Sequence, residues 1–233
     1  MATYFYNITN DSRLFMQTIF LFPGLGADSR LFAHTYIPGA ITKVMEMRAP
    51  LRHETLEDYC KSMLRDIPHD EKLVFIGVSF GGILAQEISK LRQVEKIILV
   101  SSVSSRRQFP HGFALLRIFP IFKILPGTWL KQLIVWIGRT FTHKSEMEEK
   151  VFEAMVRDAD TGLIRWGIDQ TIHWKQSSPL PGIIHIHGSK DPLFPVQKIK
   201  PEYVIEGGEH FIIFQRAEEI NKLLQHILQE GSR

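Results

Sequence analysis

Short apolar strands alternating with amphipathic helices along 233 residues predict an α/β protein with a mostly parallel sheet and helices on both faces. Two observations carry that prediction: β-branched runs recur through the chain, and stretches of 3.6-residue apolar spacing separate several of them. A third sharpens it. The segment GVSFGG, residues 77–82, lies between a buried strand pattern and the start of a helix pattern.

In order, Thr18-Ile19-Phe20-Leu21-Phe22 predicts the first strand and Thr42 to Glu46 the second. Leu56, Tyr59, Cys60, Met63 and Leu64 share one helical face, which predicts a helix from Leu56 to Ile67. A strand from Leu73 to Ile76, with Lys72 leading into it, is followed by a helix from Ile83 to Leu91 and a strand from Ile97 to Val100. From Ser104 to Ser178 no strand pattern occurs. Helical spacing appears there instead, at Leu115-Leu116-Phe119, at Leu130-Leu133-Ile134-Ile137 and at Met147-Val151-Met155. Strands resume at Ile183 to His187 and Tyr203 to Ile205, and a last helix spans Ala217 to Gln229. The expected organisation is one core domain, residues 1–103 and 179–233, with a helical insertion at 104–178.

Composition narrows the function classes. A net charge of +3 and no basic tract beyond Arg106-Arg107 give nucleic-acid binding little support. The single Cys60 forms no internal disulfide and fits a reducing compartment; on its helical face it reads as a small core residue. Met1 to Tyr6 lacks the basic start and apolar run of a secretion signal, so the cytoplasm is expected. The apolar stretch Phe113 to Phe141 is broken by Arg117, Lys123, Lys131 and Arg139 and by Pro120 and Pro126, so no membrane span is expected.

GVSFGG raises the chemical question of why one serine is fenced by glycines two residues to either side. On a tight strand-to-helix turn, side chains at 77 and 81 would collide, while Ser79 would be held strained with its hydroxyl above the sheet. The turn also puts the Phe80 amide at a helix N-terminus, where it can donate to an oxyanion. A serine hydroxyl needs a base, and the base an orienting acid. Asp191, in HGSKDPLFP after one strand, and His210, in GGEHF after the next, both fall at carboxyl ends of predicted strands. Upstream, FPGLG at 22–26 follows the first strand and would let the Leu25 amide face the same serine.

These four stretches, in this order, resemble those of the α/β-hydrolase superfamily over nearly the whole chain, weakening only across Ser104–Ser178, where members carry a variable cap. The resemblance implies an α/β-hydrolase fold, with Ser79 as nucleophile, Asp191 as acid, His210 as base, and Leu25 and Phe80 as oxyanion donors. Pro23-Gly24 stands where many members have His-Gly, and the short run from Asp191 to His210 implies a trimmed helix. It implies a serine carboxylesterase acting on a small ester with an apolar acyl or alcohol part, needing no cofactor or metal. Acyl transfer or lyase chemistry on the same triad, or ligand binding without catalysis, are the alternatives; the chain says nothing of oligomeric state.

Other residues carry rival readings. His185 and His187 project to one strand face and, with Asp191, suggest a metal cluster, against which His185 reads as packed between sheet and helix. His210 reads alternatively as structural and Asp191 as a turn cap. Asp158, Asp160 and Asp169 are alternative acids without a strand end to position them. Pro120, Pro126, Phe119, Phe122, Trp129 and Trp136 are expected to bury against the domain beneath, some of them lining a substrate pocket, with contact to a lipid surface as a further reading. Ile164, Trp166 and Trp174 are expected to pack where the insertion returns to the sheet.

Overall fold

A computed structural model of the chain describes residues 17–68, 73–141 and 145–230. The reading of Met1 to Tyr6, and Lys72 at the entry to the third strand, lie outside the described residues. Six strands form one parallel sheet: β1 (Thr18–Phe22), β2 (Ile41–Val44), β3 (Leu73–Val78), β4 (Lys96–Val100), β5 (Ile183–Gly188) and β6 (Tyr203–Ile205). Their spatial order is β2-β1-β3-β4-β5-β6. The central strands are buried on both faces, which is why β1 and β3 read as unbroken apolar runs.

Alternation along these strands divides the core. Ile19 and Leu21 of β1 and Val74, Ile76 and Val78 of β3 point to one face, where α9 (Ala217–Glu230) covers them with Ile220, Leu224 and Ile227. Phe20, Phe22, Leu73 and Phe75 point to the other, beneath α1 (Leu56–Met63) and α2 (Phe80–Leu91). Cys60 sits fully buried on that second face.

Several boundaries differ from expectation for local reasons. β2 begins at Ile41 and stops at Val44, short of Glu46, because its neighbour β1 runs out: Leu21 faces Val44 and β1 ends one residue later. α1 stops at Met63 and tightens into a 3-10 turn over Leu64–Asp66. Pro68 follows and disfavours helical backbone at Ile67, which is extended. α2 starts at Phe80, three residues before the expected Ile83, because the turn at Ser79 feeds directly into it.

Between β4 and β5 the described residues contain helices and no strand: α3 (Gly112–Ile118), α4 (Gly127–Phe141), α5 (Glu146–Asp158) and α6 (Thr161–Ile172). Phe122, Leu130, Ile164 and Ile172 form their shared apolar cluster. Trp174 is buried, and Trp166 packs on Tyr59 and Phe80 while its Nε1 donates to the Glu54 carbonyl at 2.8 Å, so the return to the sheet is packed as expected. The expectation fails for three of the other aromatic residues. Phe122 is buried, but Phe119, Trp129 and Trp136 are 65%, 62% and 59% exposed, because the inward stripe of α4 is Leu130, Ile134 and Ile137, about 100° around the helix from Trp129. Among the described residues no helix is long and apolar enough to cross a membrane.

After β5 come a one-turn α7 (Val196–Ile199), the trimmed helix that the short spacing implies, then β6 and α8 (Ile212–Gln215). The strand order reverses direction between β1 and β3, so the loops leaving these two strands diverge to opposite sides and open a crevice at the carboxyl edge.

Candidate active site

Ser79 occupies that crevice. Its backbone stands at φ 52°, ψ −120°, a conformation side chains rarely adopt, and three hydrogen bonds hold it there. The Ser79 amide donates to Val100 O at 3.1 Å, the Gly82 amide donates to Ser79 O at 3.0 Å, and Ser102 Oγ donates to the same oxygen at 2.6 Å. The fencing glycines are sterically required: a Cβ on Gly81 would overlap the Phe22 and Pro23 carbonyls, and one on Gly77 would overlap the backbone of Gly81 and Gly82. The start of α2 therefore packs against the end of β1, and the Cβ direction of Gly24 points at Ser79 Cβ, 3.3 Å away. The loop bearing Leu25 thus runs beside the serine. Phe80 opens α2, so its amide is one of the helix N-terminal donors without an intrahelical acceptor.

Asp191 and His210 arrive from neighbouring strands. The loops after β5 and β6 are stitched together by Ser189 N donating to Ile205 O at 3.0 Å and Lys190 N donating to Gly208 O at 2.8 Å. This brings His210 Nδ1 to 2.8 Å from Asp191 Oδ2 and His210 Nε2 to 3.0 Å from Ser79 Oγ. An ionised carboxylate only accepts, so Nδ1 carries the proton and Nε2 is left to accept from the serine hydroxyl. The structure brings Ser79, Asp191 and His210 into one hydrogen-bonded chain.

Asp191 also caps its own turn, with Oδ1 accepting from the Leu193 and Phe194 amides at 2.8 and 3.0 Å. Asp191 therefore makes two sets of contacts, Oδ1 to its own turn and Oδ2 to His210. Burial pushes its carboxyl up, but the His210 imidazole beside it, with His187 and the Phe194 amide, outweighs burial and holds it below the ordinary carboxylate range.

His187 is a residue whose part the sequence reading missed. Its Nε2 donates to Phe194 O at 2.8 Å and lies 3.3 Å from Asp191 Oδ2, so it ties β5 to the turn that presents the acid. Ser102, also missed, fixes the strained serine. The one signal for either is position: each stands at or just beyond a strand's carboxyl end. His185 is buried beside His187, their rings 5.3 Å apart, and burial lowers its pKa to about 3.

The alternative acids are engaged elsewhere: Asp158 pairs with Arg30 at 3.0 Å, Asp160 accepts from the Leu163 amide at the start of α6, and Asp169 pairs with Lys123 at 2.7 Å. Above Ser79 and His210 opens a cavity of about 300 Å³. Its walls are almost wholly apolar, with Leu25, Phe80 and Phe194 below and Phe113, Leu116 and Ile134 from the helices between β4 and β5 above. Such a site presents a hydroxyl, a base that accepts its proton and a helix N-terminus to a ligand held by apolar contact.

A sequence model described as "Alpha/beta hydrolase family" matches residues 17–223. No functionally curated protein matches the chain. Among solved structures, an esterase from Thermogutta terrifontis superposes with a TM-score of 0.71 at 12% identity, covering 94% of this chain and 91% of that one. A bromoperoxidase from Bacillus anthracis gives 0.71 at 16% identity, covering 92% of each chain. An esterase from Exiguobacterium antarcticum gives 0.64 at 14% identity, covering 91% and 92%. At these identities the likeness is one of fold.

Proposed function

The chain belongs to the alpha/beta hydrolase family, and from that premise we propose that it is a serine carboxylesterase acting on a small ester with an apolar acyl or alcohol part. The reading rests on one observation above the rest: the Ser79–His210–Asp191 chain, with spacings of 3.0 and 2.8 Å, opens into an apolar cavity. Ser79 Oγ attacks the ester carbonyl carbon as its proton passes to His210 Nε2. The carbonyl π electrons move to oxygen, and the Leu25 and Phe80 amides donate to that oxyanion. Collapse expels the alkoxide, which takes the proton from His210. Water then repeats the sequence on the acyl-enzyme, with His210 as base, and releases the acid. Asp191 keeps the imidazole in the required tautomer throughout. Residues 104–178 act in this reading as the cap that shapes the acyl site.

The test is fluorophosphonate labelling read by intact-mass spectrometry and peptide mapping, followed by an ester series graded by acyl length. A single adduct on Ser79 is expected. Ser79→Ala should lose the adduct and reduce kcat on the order of 10⁶-fold with an unchanged circular dichroism spectrum; near-native turnover in that variant would remove Ser79 from the mechanism. Adding acceptor alcohols separates hydrolysis from acyl transfer by the product formed.

A further inference from the structure

Eight of the fifteen large apolar side chains exposed among the described residues lie in one interval, Leu115 to Trp136. α3 turns Phe113 and Leu116 toward the cavity and Leu115 and Ile118 toward solvent. α4 repeats the arrangement, with Leu130, Ile134 and Ile137 inward and Trp129, Leu133 and Trp136 outward. Between the two, Ile124 is 82% exposed. A surface helix ordinarily has one apolar stripe, so apolar residues on a second face point to a second apolar environment.

Charge indicates which environment. From Arg106 to Arg139 the chain has six basic residues, Arg106, Arg107, Arg117, Lys123, Lys131 and Arg139, and no Asp or Glu. Lys123 and Arg139 pair with Asp169 and Glu153, and Lys131 Nζ donates to Arg157 O. Arg117 lies exposed on α3 among the outward apolar side chains, and Arg106 and Arg107 stand exposed just before that helix. Cations interleaved with exposed Trp, Phe and Ile, on helices that do not span a bilayer, are the chemistry of an element lying in the plane of an anionic lipid–water interface.

We propose that the outward face of α3 and α4 docks reversibly on an anionic lipid surface, with Ile118, Phe119, Ile124 and Trp129 entering the acyl boundary and Arg117 meeting headgroup phosphates. The inward faces of the same helices wall the cavity over Ser79, so docking would set that cavity beside the phase where acyl-bearing molecules concentrate. The docking itself stands independently of the hydrolase reading.

The experiment is co-sedimentation of the full chain with phosphatidylcholine vesicles, with and without phosphatidylglycerol, alongside tryptophan emission. Expected are binding and a blue shift only with phosphatidylglycerol, weakening as salt rises, about fivefold weaker binding for Arg117→Gln, and loss in the double variant Ile118→Ser, Ile124→Ser. Ser79→Ala should bind as the native chain does, and the double variant should keep the native circular dichroism spectrum and a cooperative thermal unfolding transition, so that lost binding is not lost folding. Three results would each overturn the proposal: no sedimentation at low salt, equal binding to both vesicle compositions, or a dimer in solution that the double variant dissociates, which would make a second copy the occupant.

Discussion

At Ser79 the backbone is held in a conformation that costs on the order of 1–3 kcal/mol, and the cost is borne by three hydrogen bonds, two with Val100 and Ser102 at and just past the end of β4 and one with Gly82 of α2. The glycines around it act by absence of volume. Gly81→Ala should therefore destabilise the protein by about 3 kcal/mol, the upper end for overpacking, because the new methyl meets main-chain carbonyls that cannot rotate away; urea unfolding measures this. Asp191→Asn tests the tautomer argument. The Leu193 and Phe194 amides hold the acceptor oxygen, so the introduced amide would donate toward His210 and leave Nδ1 as the acceptor. A fall in kcat on the order of 10⁴-fold is expected, with KM far less affected; activity within tenfold of native would show that orientation by Asp191 is dispensable.

Among the elements, α6 ties the helices between β4 and β5 to the layer over the sheet, through Trp166 on Tyr59 and Phe80 and through Leu163 and Ile164 in two apolar clusters. Its start is held by Asp160, whose Oδ1 accepts from the Leu163 amide at 2.7 Å. Asp160→Ala should cost about 1 kcal/mol of stability in a denaturant titration while leaving Ser79 labelling intact, since Asp160 serves the helix. On α4, Ile137 reaches the cavity. Ile137→Trp would fill part of it, and the rate on long-chain esters should drop at least about tenfold relative to acetyl esters; an unchanged ratio would mean that the acyl group lies elsewhere.

For the whole molecule, acid sensitivity follows from histidines buried inside the sheet edge. His185 packs against His187, near Asp191 and the Ser102 backbone, and its Nε2 has no hydrogen-bond partner among the described residues. Burial holds it neutral down to about pH 3, whereas in the unfolded chain it protonates near 6.5. The unfolded state therefore binds the extra proton first, and stability falls as pH drops from about 6.5 toward 3, by up to about 1.4 kcal/mol per pH unit from this one residue. His187, also held below its ordinary range by burial, adds in the same direction. Asp191, whose folded-state carboxyl lies below its ordinary range, adds a further loss under about pH 4. Thermal unfolding followed between pH 7 and 4 should show this decline, and His185→Leu should flatten it.

Strand identity, strand order along the chain and the glycine-fenced serine were all legible, because buried parallel strands must be continuously apolar and a tight strand-to-helix turn admits only glycine at 77 and 81. Ser79, Asp191 and His210 were legible too, since each follows a strand and the carboxyl edge of a parallel sheet collects such residues. Tertiary structure alone decided what His187 and Ser102 touch, because hydrogen bonds between loops of different strands leave no periodic mark. It also decided which of two adjacent apolar stripes on α4 turns inward. Both stripes are apolar and have helical spacing, so spacing does not choose between them; packing on the surface beneath does, and it left Trp129 and Trp136 facing solvent rather than the core.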